Sequence, residues 1–102
     1  MKPQIARKKI IRELQQMEYL TRGGEVVKYL GADRKIEGVI SAGDWGVNVF
    51  LHVVVERVER LGFFRAKRRT AGEIVAQGVI CAGAPDFDQK INEMIKTIQK
   101  RA

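Results

Sequence analysis

The spacing of hydrophobic residues changes twice along the chain and divides it into three parts. In the first part, apolar residues recur every three or four positions, as on one face of a helix: Ile10, Leu14 and Met17. Pro3 suits the first turn of such a helix, and Gly23 and Gly24 suit its end. The pattern predicts an amphipathic N-terminal helix from Pro3 to about Thr21, within residues 1–22.

The last part repeats this helical spacing after Pro85. Its apolar residues are Phe87, Ile91, Met94, Ile95 and Ile98. Asp86 and Asp88 lie where the partial positive charge of a helix N-terminus favours acids. The pattern predicts a C-terminal helix over residues 86–101.

The middle part, residues 25–82, has apolar segments separated by glycine and aspartate. They read EVVKYL, KIEGVISA, GVNVFLHVVVERV, FFRAKRR and EIVAQGVIC. Their many β-branched residues favour strands, and Gly38 and Gly78 let long strands bend. We therefore expect a mainly β domain, in which a bent, five-stranded antiparallel open barrel lies between the two helices.

An alternative remains open for one segment. From Phe50 to Leu61 the apolar residues also fit a helical stripe that Gly62 could end. If this segment were a recognition helix, the chain would be a small α+β domain that binds duplex DNA.

Composition narrows the class of protein and its partners. The 102 residues are enough for one domain, and 19 Lys and Arg against 12 Asp and Glu leave a net charge of +7. This excess favours a polyanionic partner, either nucleic acid or an acidic membrane surface. The single Cys81 forms no disulfide framework and lies in an apolar run that predicts burial.

Catalysis has little support in the sequence. The lone His52 has no recognisable nucleophile motif beside it, and no phosphate-binding loop or metal cluster is evident. We expect no enzymatic activity, no cofactor and no metal. The charged N-terminus lacks the apolar centre of a signal peptide, and no apolar run is long enough to span a bilayer. The expected location is cytoplasmic, without a membrane partner.

Polar positions within the strands carry a family resemblance. Gly38, Asp44, Asn48 and Glu56 follow one another at intervals of six, four and eight residues. The pattern resembles the first motif of the Sm/LSm family, which has a strand glycine, an aspartate and an asparagine around the next turn, and a later acid. Gln77-Gly78 corresponds to the second motif, where the family usually has arginine and glycine. The resemblance covers roughly residues 25–82.

The resemblance implies a ring of about five to seven subunits that binds single-stranded RNA, usually uridine-rich, around a central pore. Asn48 would bind a base edge and Asp44 would brace the turn. In the family, the side chain that stacks on a base stands at the position of Gly46. Glycine has no side chain to stack, so the neighbouring Trp45 is the aromatic ring that could take this role. The implied RNA-binding residues are Asp44, Trp45, Gly46, Asn48, Gln77 and Gly78.

A basic segment follows the turn at Leu61-Gly62. Its cations are Arg65, Lys67, Arg68 and Arg69, with Arg57 and Arg60 before the turn. Such a surface attracts phosphate backbones without reading sequence. A second interpretation keeps the Sm ring as a scaffold that has lost its uridine pocket, because Gly46 and Gln77 depart from the family pattern. The two amphipathic helices would then dock protein partners.

Overall fold

The computed structural model describes residues 1–101, which form two helices and five strands. In chain order these are α1 (Pro3–Gln16), β1 (Leu20–Arg22), β2 (Glu25–Tyr29), β3 (Arg34–Gly43), β4 (Gly46–Leu61), β5 (Phe64–Cys81) and α2 (Phe87–Arg101). All neighbouring strands are antiparallel, and they form one open sheet in the order β1-β2-β3-β4-β5. The expected arrangement of helix, five antiparallel strands and helix is confirmed.

The N-terminal helix is shorter than expected. It ends at Gln16, and Glu18 has a positive φ of 70° that no helix continues through. The Tyr19 amide donates to the Leu14 carbonyl, which turns the Tyr19 side chain into the core. The extension of this helix to Thr21 was wrong, because burying Tyr19 reverses the chain into β1.

The expected break between the fourth and fifth apolar segments is absent. FFRAKRR and EIVAQGVIC form the single 18-residue strand β5, while β1 is a strand that the pattern did not predict. The register between β4 and β5 shifts between Leu51 and Val54, and this allows β5 to continue past Gly72 without a break. The number of strands is therefore five, as expected, but their boundaries along the chain differ from the predicted ones.

Both helices pack on the same face of the sheet. Buried side chains from α1 (Ala6, Ile10, Leu14) and α2 (Phe87, Ile91, Ile95, Ile98) meet those from the strands (Val26, Ile36, Ile40, Val47, Val49, Leu51, Ile80). Gly38 lies in this face, where an added Cβ would be 1.8 Å from the Phe50 carbonyl oxygen, so only glycine allows β3 and β4 to approach this closely.

The opposite face of the sheet has no covering layer among residues 1–101. We call it the open face; alternation along the strands assigns to it Val27, Glu37, Val39, Ser41, Asn48, Phe50, His52 and Gln77. Cys81 alternates with the buried Ile80 and is exposed, so its predicted burial was wrong.

The hairpin of β4 and β5 extends beyond the rest of the sheet. The pairing of β3 with β4 ends at Arg34 and Val55, whereas β4 and β5 remain paired to Leu61 and Phe64. We call residues 56–69 the hairpin arm; it gives the molecule its long axis, with extents of 58 × 23 × 21 Å. Residues 50–61 are strand throughout, so the recognition helix of the duplex-DNA alternative does not form.

Candidate nucleic-acid interface

The predicted turn before β4 is a two-residue hairpin loop. Gly43 pairs with Gly46, and Asp44 and Trp45 form the loop between them. The Trp45 carbonyl accepts a hydrogen bond of 3.0 Å from the Ala82 amide, which ties the loop to the end of β5. The exposed Asp44 carboxylate makes no hydrogen bond or ion pair within residues 1–101. Backbone contacts therefore hold this turn.

The Trp45 ring packs against its own hairpin. A Cβ built on Gly43 would lie 2.5 Å from Trp45 Nε1 and 2.9 Å from Cδ1, so the indole occupies the space above that glycine. Trp45 nevertheless keeps 51% of its surface exposed. Part of the indole thus remains accessible to a ligand.

Gly46 has no room for the stacking side chain that the resemblance expects at its position. Its φ is 141°, and an added Cβ would be 2.0 Å from the Ile80 carbonyl oxygen. The close approach of β4 to the end of β5 therefore requires glycine.

Asn48 and Gln77 share the open face, but Gly78 does not. Asn48 is half-buried between its cross-strand partners Ser41 and Val79, and the exposed Gln77 pairs with Phe50. Gly78 alternates to the helix face, where Met94 of α2 lies over it. The structure brings the two amide side chains to neighbouring strands of one surface and separates Gly78 from them.

A groove of about 470 Å³ crosses the open face over β1 to β4. Its apolar lining includes Leu20, Val27, Tyr29, Val39 and Phe50. His52 lies beside Phe50 with ring centroids 4.8 Å apart, and its buried Nδ1 has no hydrogen-bond partner within residues 1–101. Sequence reasoning missed this groove, although Val39 and Phe50, apolar residues next to the buried Ile40 and Leu51, were a signal for it.

Glu56 organises an ion-pair network at the base of the hairpin arm. Its carboxylate lies 3.1 Å from Lys35 Nζ, 3.2 Å from Lys67 Nζ and 3.4 Å from Arg69 Nη1. Hydrogen bonds from Lys35 and then Lys67 hold the pKa of Glu56 below its usual range. Glu37 also contacts Lys35 and Arg69. Two of the four predicted surface cations, Lys67 and Arg69, are therefore partly neutralised within the protein.

The other cations of the arm have fewer acid partners. Arg57 pairs with Asp33 at 3.7 Å and Arg68 with Glu59 at 3.5 Å, both exposed contacts. Arg60 and Arg65 form no ion pair within the described part of the chain. Arg60 and Arg65 are therefore both available to an external anion.

The strand register sets like charges opposite each other at two levels of the arm. Arg57 faces Arg68, and Arg60 faces Arg65. Like charges directly opposite in an antiparallel pair are destabilising, by a few tenths of a kcal/mol to ~1 kcal/mol. An anion bound between each pair would remove this cost.

The tip of the arm is apolar and uncovered. Gly62, with φ of 63°, and Phe63 form its two-residue turn, in which glycine is favoured. Leu61, Phe63 and Phe64 are 60%, 105% and 77% exposed. The tip therefore presents two aromatic rings beside Arg60 and Arg65.

Among residues 1–101, no helix is long and apolar enough to cross a membrane. The same residues contain no group of three or more His, Cys, Asp or Glu side chains that could hold a metal ion.

The two groups of predicted site residues lie at opposite ends of one hairpin. The loop at Asp44 and Trp45 precedes β4, whereas the basic segment follows its far end, about 50 Å of extended strand away.

Comparisons of the chain with protein-family models, with curated proteins and with solved structures find no match. Functional inference therefore depends on the geometry of these two ends and of the open face.

Proposed function

We propose that this protein binds single-stranded RNA without catalysing a reaction on it, and that the hairpin arm makes its principal contact. The observation that carries the proposal is the pair Arg60 and Arg65, which face each other without an acid partner in residues 1–101. Six cations against two acids in residues 56–69 give the arm a net positive charge along its length. A phosphate backbone supplies the matching row of negative charges.

Arginine supports a phosphate ligand over a simple counter-ion. Its planar guanidinium donates two parallel hydrogen bonds to phosphate oxygens, which lysine cannot do. The exposed pairs Arg57–Arg68 and Arg60–Arg65 lie at two levels of the arm, three residues apart on each strand. Side chains three residues apart on a strand point to opposite faces, so the two pairs present arginines on both faces of the arm to a phosphate chain that wraps around it.

Accessible groups that suit unpaired bases support a single-stranded ligand. The half-exposed Trp45, and Asn48 and Gln77 on the open face, offer a ring and two amides at one end of the β4–β5 hairpin. RNA with splayed-out bases is recognised by stacking and by hydrogen bonds to base edges, whereas a duplex hides its base faces.

Titration of labelled uridine-rich and adenine-rich single strands at 50 and 200 mM salt tests the proposal. We expect binding that weakens steeply between the two concentrations, because the contacts are mainly to phosphates. The absence of binding at the lower salt would refute the proposal. Strong preference for uridine would favour the loop at residues 44–48 as the principal contact instead, and Asn48→Ala would then abolish that preference.

We also propose an Sm-like ring as the form of assembly. The outer edge of the 18-residue β5 supports it, because unpaired strand edges are stabilised by pairing with an identical neighbour, and a head-to-tail contact that closes gives cyclic symmetry. Native mass spectrometry should then show about five to seven subunits. Monomer alone at micromolar concentration would contradict the ring, while leaving RNA binding by the arm intact.

The scaffold interpretation of that ring has its own support. Gly46 leaves no space for a stacking side chain, and Gln77 lacks the charge of an arginine. A ring that forms by native mass spectrometry but binds neither oligonucleotide would favour the scaffold, with α1 and α2 as docking surfaces for protein partners.

A further inference from the structure

The tip of the hairpin arm exposes aromatic side chains that the fold leaves almost uncovered. Phe63 is fully exposed and Phe64 is 77% exposed, while the core helices and the open face lie at the other end of the molecule. Exposed apolar surface of this kind marks a contact with a partner. The tip carries no charge of its own from Leu61 to Phe64.

We propose that Phe63 and Phe64 stack on unpaired bases, so that the arm tip selects single-stranded over duplex nucleic acid. This inference rests on the proposed RNA binding by the arm and assigns its specificity to a place that the Sm resemblance does not include. The ligand of the tip is a nucleobase.

The register supports the pairing of a base contact with a phosphate contact. Arg60 and Arg65 occupy the ladder position next to Leu61 and Phe64, so their side chains lie on the opposite face of the narrow hairpin from those of Leu61 and Phe64. A strand that wraps around the tip would place a phosphate between the two guanidinium groups on one face and a neighbouring base on Phe63 in the turn or on Phe64 on the other face. Arginine planes also stack on bases, so both faces of the tip offer a planar group to a nucleotide.

The arm presents this surface away from the rest of the protein. Five residue steps along each strand separate Glu56 and Arg69 from Leu61 and Phe64, which corresponds to about 17 Å of strand. The turn is short and Gly62 adopts the positive φ that it requires, so the tip is a defined hairpin end. A nucleic-acid strand can therefore reach it from any side.

A duplex satisfies this tip poorly. Its bases are already stacked, so insertion of a phenylalanine would require unstacking at a cost of a few kcal/mol. Phosphate contacts from the arginines are available to both ligands. The phenylalanines should thus add affinity for the single strand alone.

An anionic membrane is the competing partner for a basic arm with an apolar tip. The tip contains no Trp or Tyr, which are the aromatic residues enriched at membrane interfaces. Its basic residues nearest the rings are both arginine, which suits planar recognition of phosphate and base. These features favour the nucleotide.

The test compares Phe63→Ala/Phe64→Ala with the native protein on one oligonucleotide, first single-stranded and then annealed to its complement. We expect the double variant to lose about tenfold in affinity for the single strand and less than about twofold for the duplex. Arg60→Gln/Arg65→Gln should weaken binding to both. Circular dichroism verifies that each variant keeps the fold.

A direct readout places a tryptophan at the tip. In Trp45→Phe/Phe63→Trp the only indole lies at the end of the arm, and we expect the single strand to quench its fluorescence while the duplex leaves it nearly unchanged. The native protein, with Trp45 as its only indole, is the control for the opposite end of the hairpin.

Three results would overturn the inference. They are an equal loss for both ligands in the phenylalanine double variant, no loss for the single strand, and binding to vesicles containing anionic lipid that is tighter than binding to the single strand and depends on the two phenylalanines. Failure of the proposed function is a separate result, in which the native protein binds neither oligonucleotide at low salt.

Discussion

Arg60 of β4 lies directly opposite Arg65 of β5, and neither guanidinium has an acid partner within residues 1–101. A hairpin that served only to extend the sheet would gain from opposite charges at this position. The arrangement is unfavourable for the isolated protein and favourable once a polyanion is bound. Stability and binding therefore favour different residues at this pair of positions.

Arg60→Gln/Arg65→Gln should lower affinity for nucleic acid while slightly stabilising the arm. Two fewer phosphate contacts should reduce the slope of log affinity against log salt by about one to two. Hydrogen exchange of the arm amides should slow, because the like-charge pair is gone. Fluorescence anisotropy at several salt concentrations measures the slope.

Lys8→Gln/Arg12→Gln is the matched control, since it removes the same charge from exposed positions of α1. It should change affinity and slope much less. Equal effects of the two double variants would mean that net charge alone, and not the arm, attracts the ligand.

Gly46→Ala should destabilise the protein by at least ~2 kcal/mol, since its positive φ and the Ile80 carbonyl 2.0 Å from the added Cβ are both incompatible with alanine. Urea unfolding measures the change. Gly83→Ala, where nothing lies within 4 Å of an added Cβ, should remain within ~0.5 kcal/mol of the native protein. Comparable losses in both variants would contradict the packing described for Gly46.

Tyr19→Phe should leave the protein as stable or more stable at neutral pH, because the buried Tyr19 hydroxyl has no hydrogen-bond partner in the described residues. Burial raises the pKa of Tyr19 to about 12. The folded state therefore holds this proton more tightly than the unfolded state, whose pKa is about 10.

The contribution of the Tyr19 proton to the free energy of unfolding is fully present below pH 10 and is lost as the pH rises towards 12. Chemical denaturation of both proteins across this range should show a steeper decline for the native protein than for Tyr19→Phe. Parallel declines would show that the hydroxyl is solvated.

Glu56→Gln should remove one acid-dependent part of stability. Since Lys35 and Lys67 lower the pKa of Glu56, the carboxylate stabilises the folded state above its usual pKa of 4.5, and the contribution is lost as the pH falls through the lowered value. Unfolding curves from neutral to acidic pH should show that the native protein loses more stability than Glu56→Gln. Glu73→Gln, at an exposed position on β5 without an ion pair in residues 1–101, should behave like the native protein.

The pattern along the chain was sufficient for the kinds of element and their order. The valine-rich residues 47–55 indicated a strand over the rival helix, and the helical spacing of Ile91, Ile95 and Ile98 located α2 to within one residue at its start. Both follow from local preference and amphipathic periodicity, which each segment carries by itself. Element ends were less predictable, because α1 stops where the burial of Tyr19 reverses the chain.

For the candidate site, sequence spacing identified individual residues but not the residues that contact them in the fold. Asn48 and Gln77 meet on one face because β4 and β5 pair in a particular register, and the same register sends Gly78 under Met94. Glu56 was noted as an acid in a motif, but its role depends on Lys35 from β3. These contacts join residues far apart in sequence, so no local pattern contains them.

The sequence by itself determined a basic protein with a helix, an antiparallel five-stranded middle and a second helix, because composition and periodicity are local properties. Only the tertiary structure decided that both helices cover one face, that β4 and β5 run on as a separate arm, and that Arg60 meets Arg65 at its end. Strand register decides these relations, since a shift of one residue would exchange the two faces and every cross-strand partner.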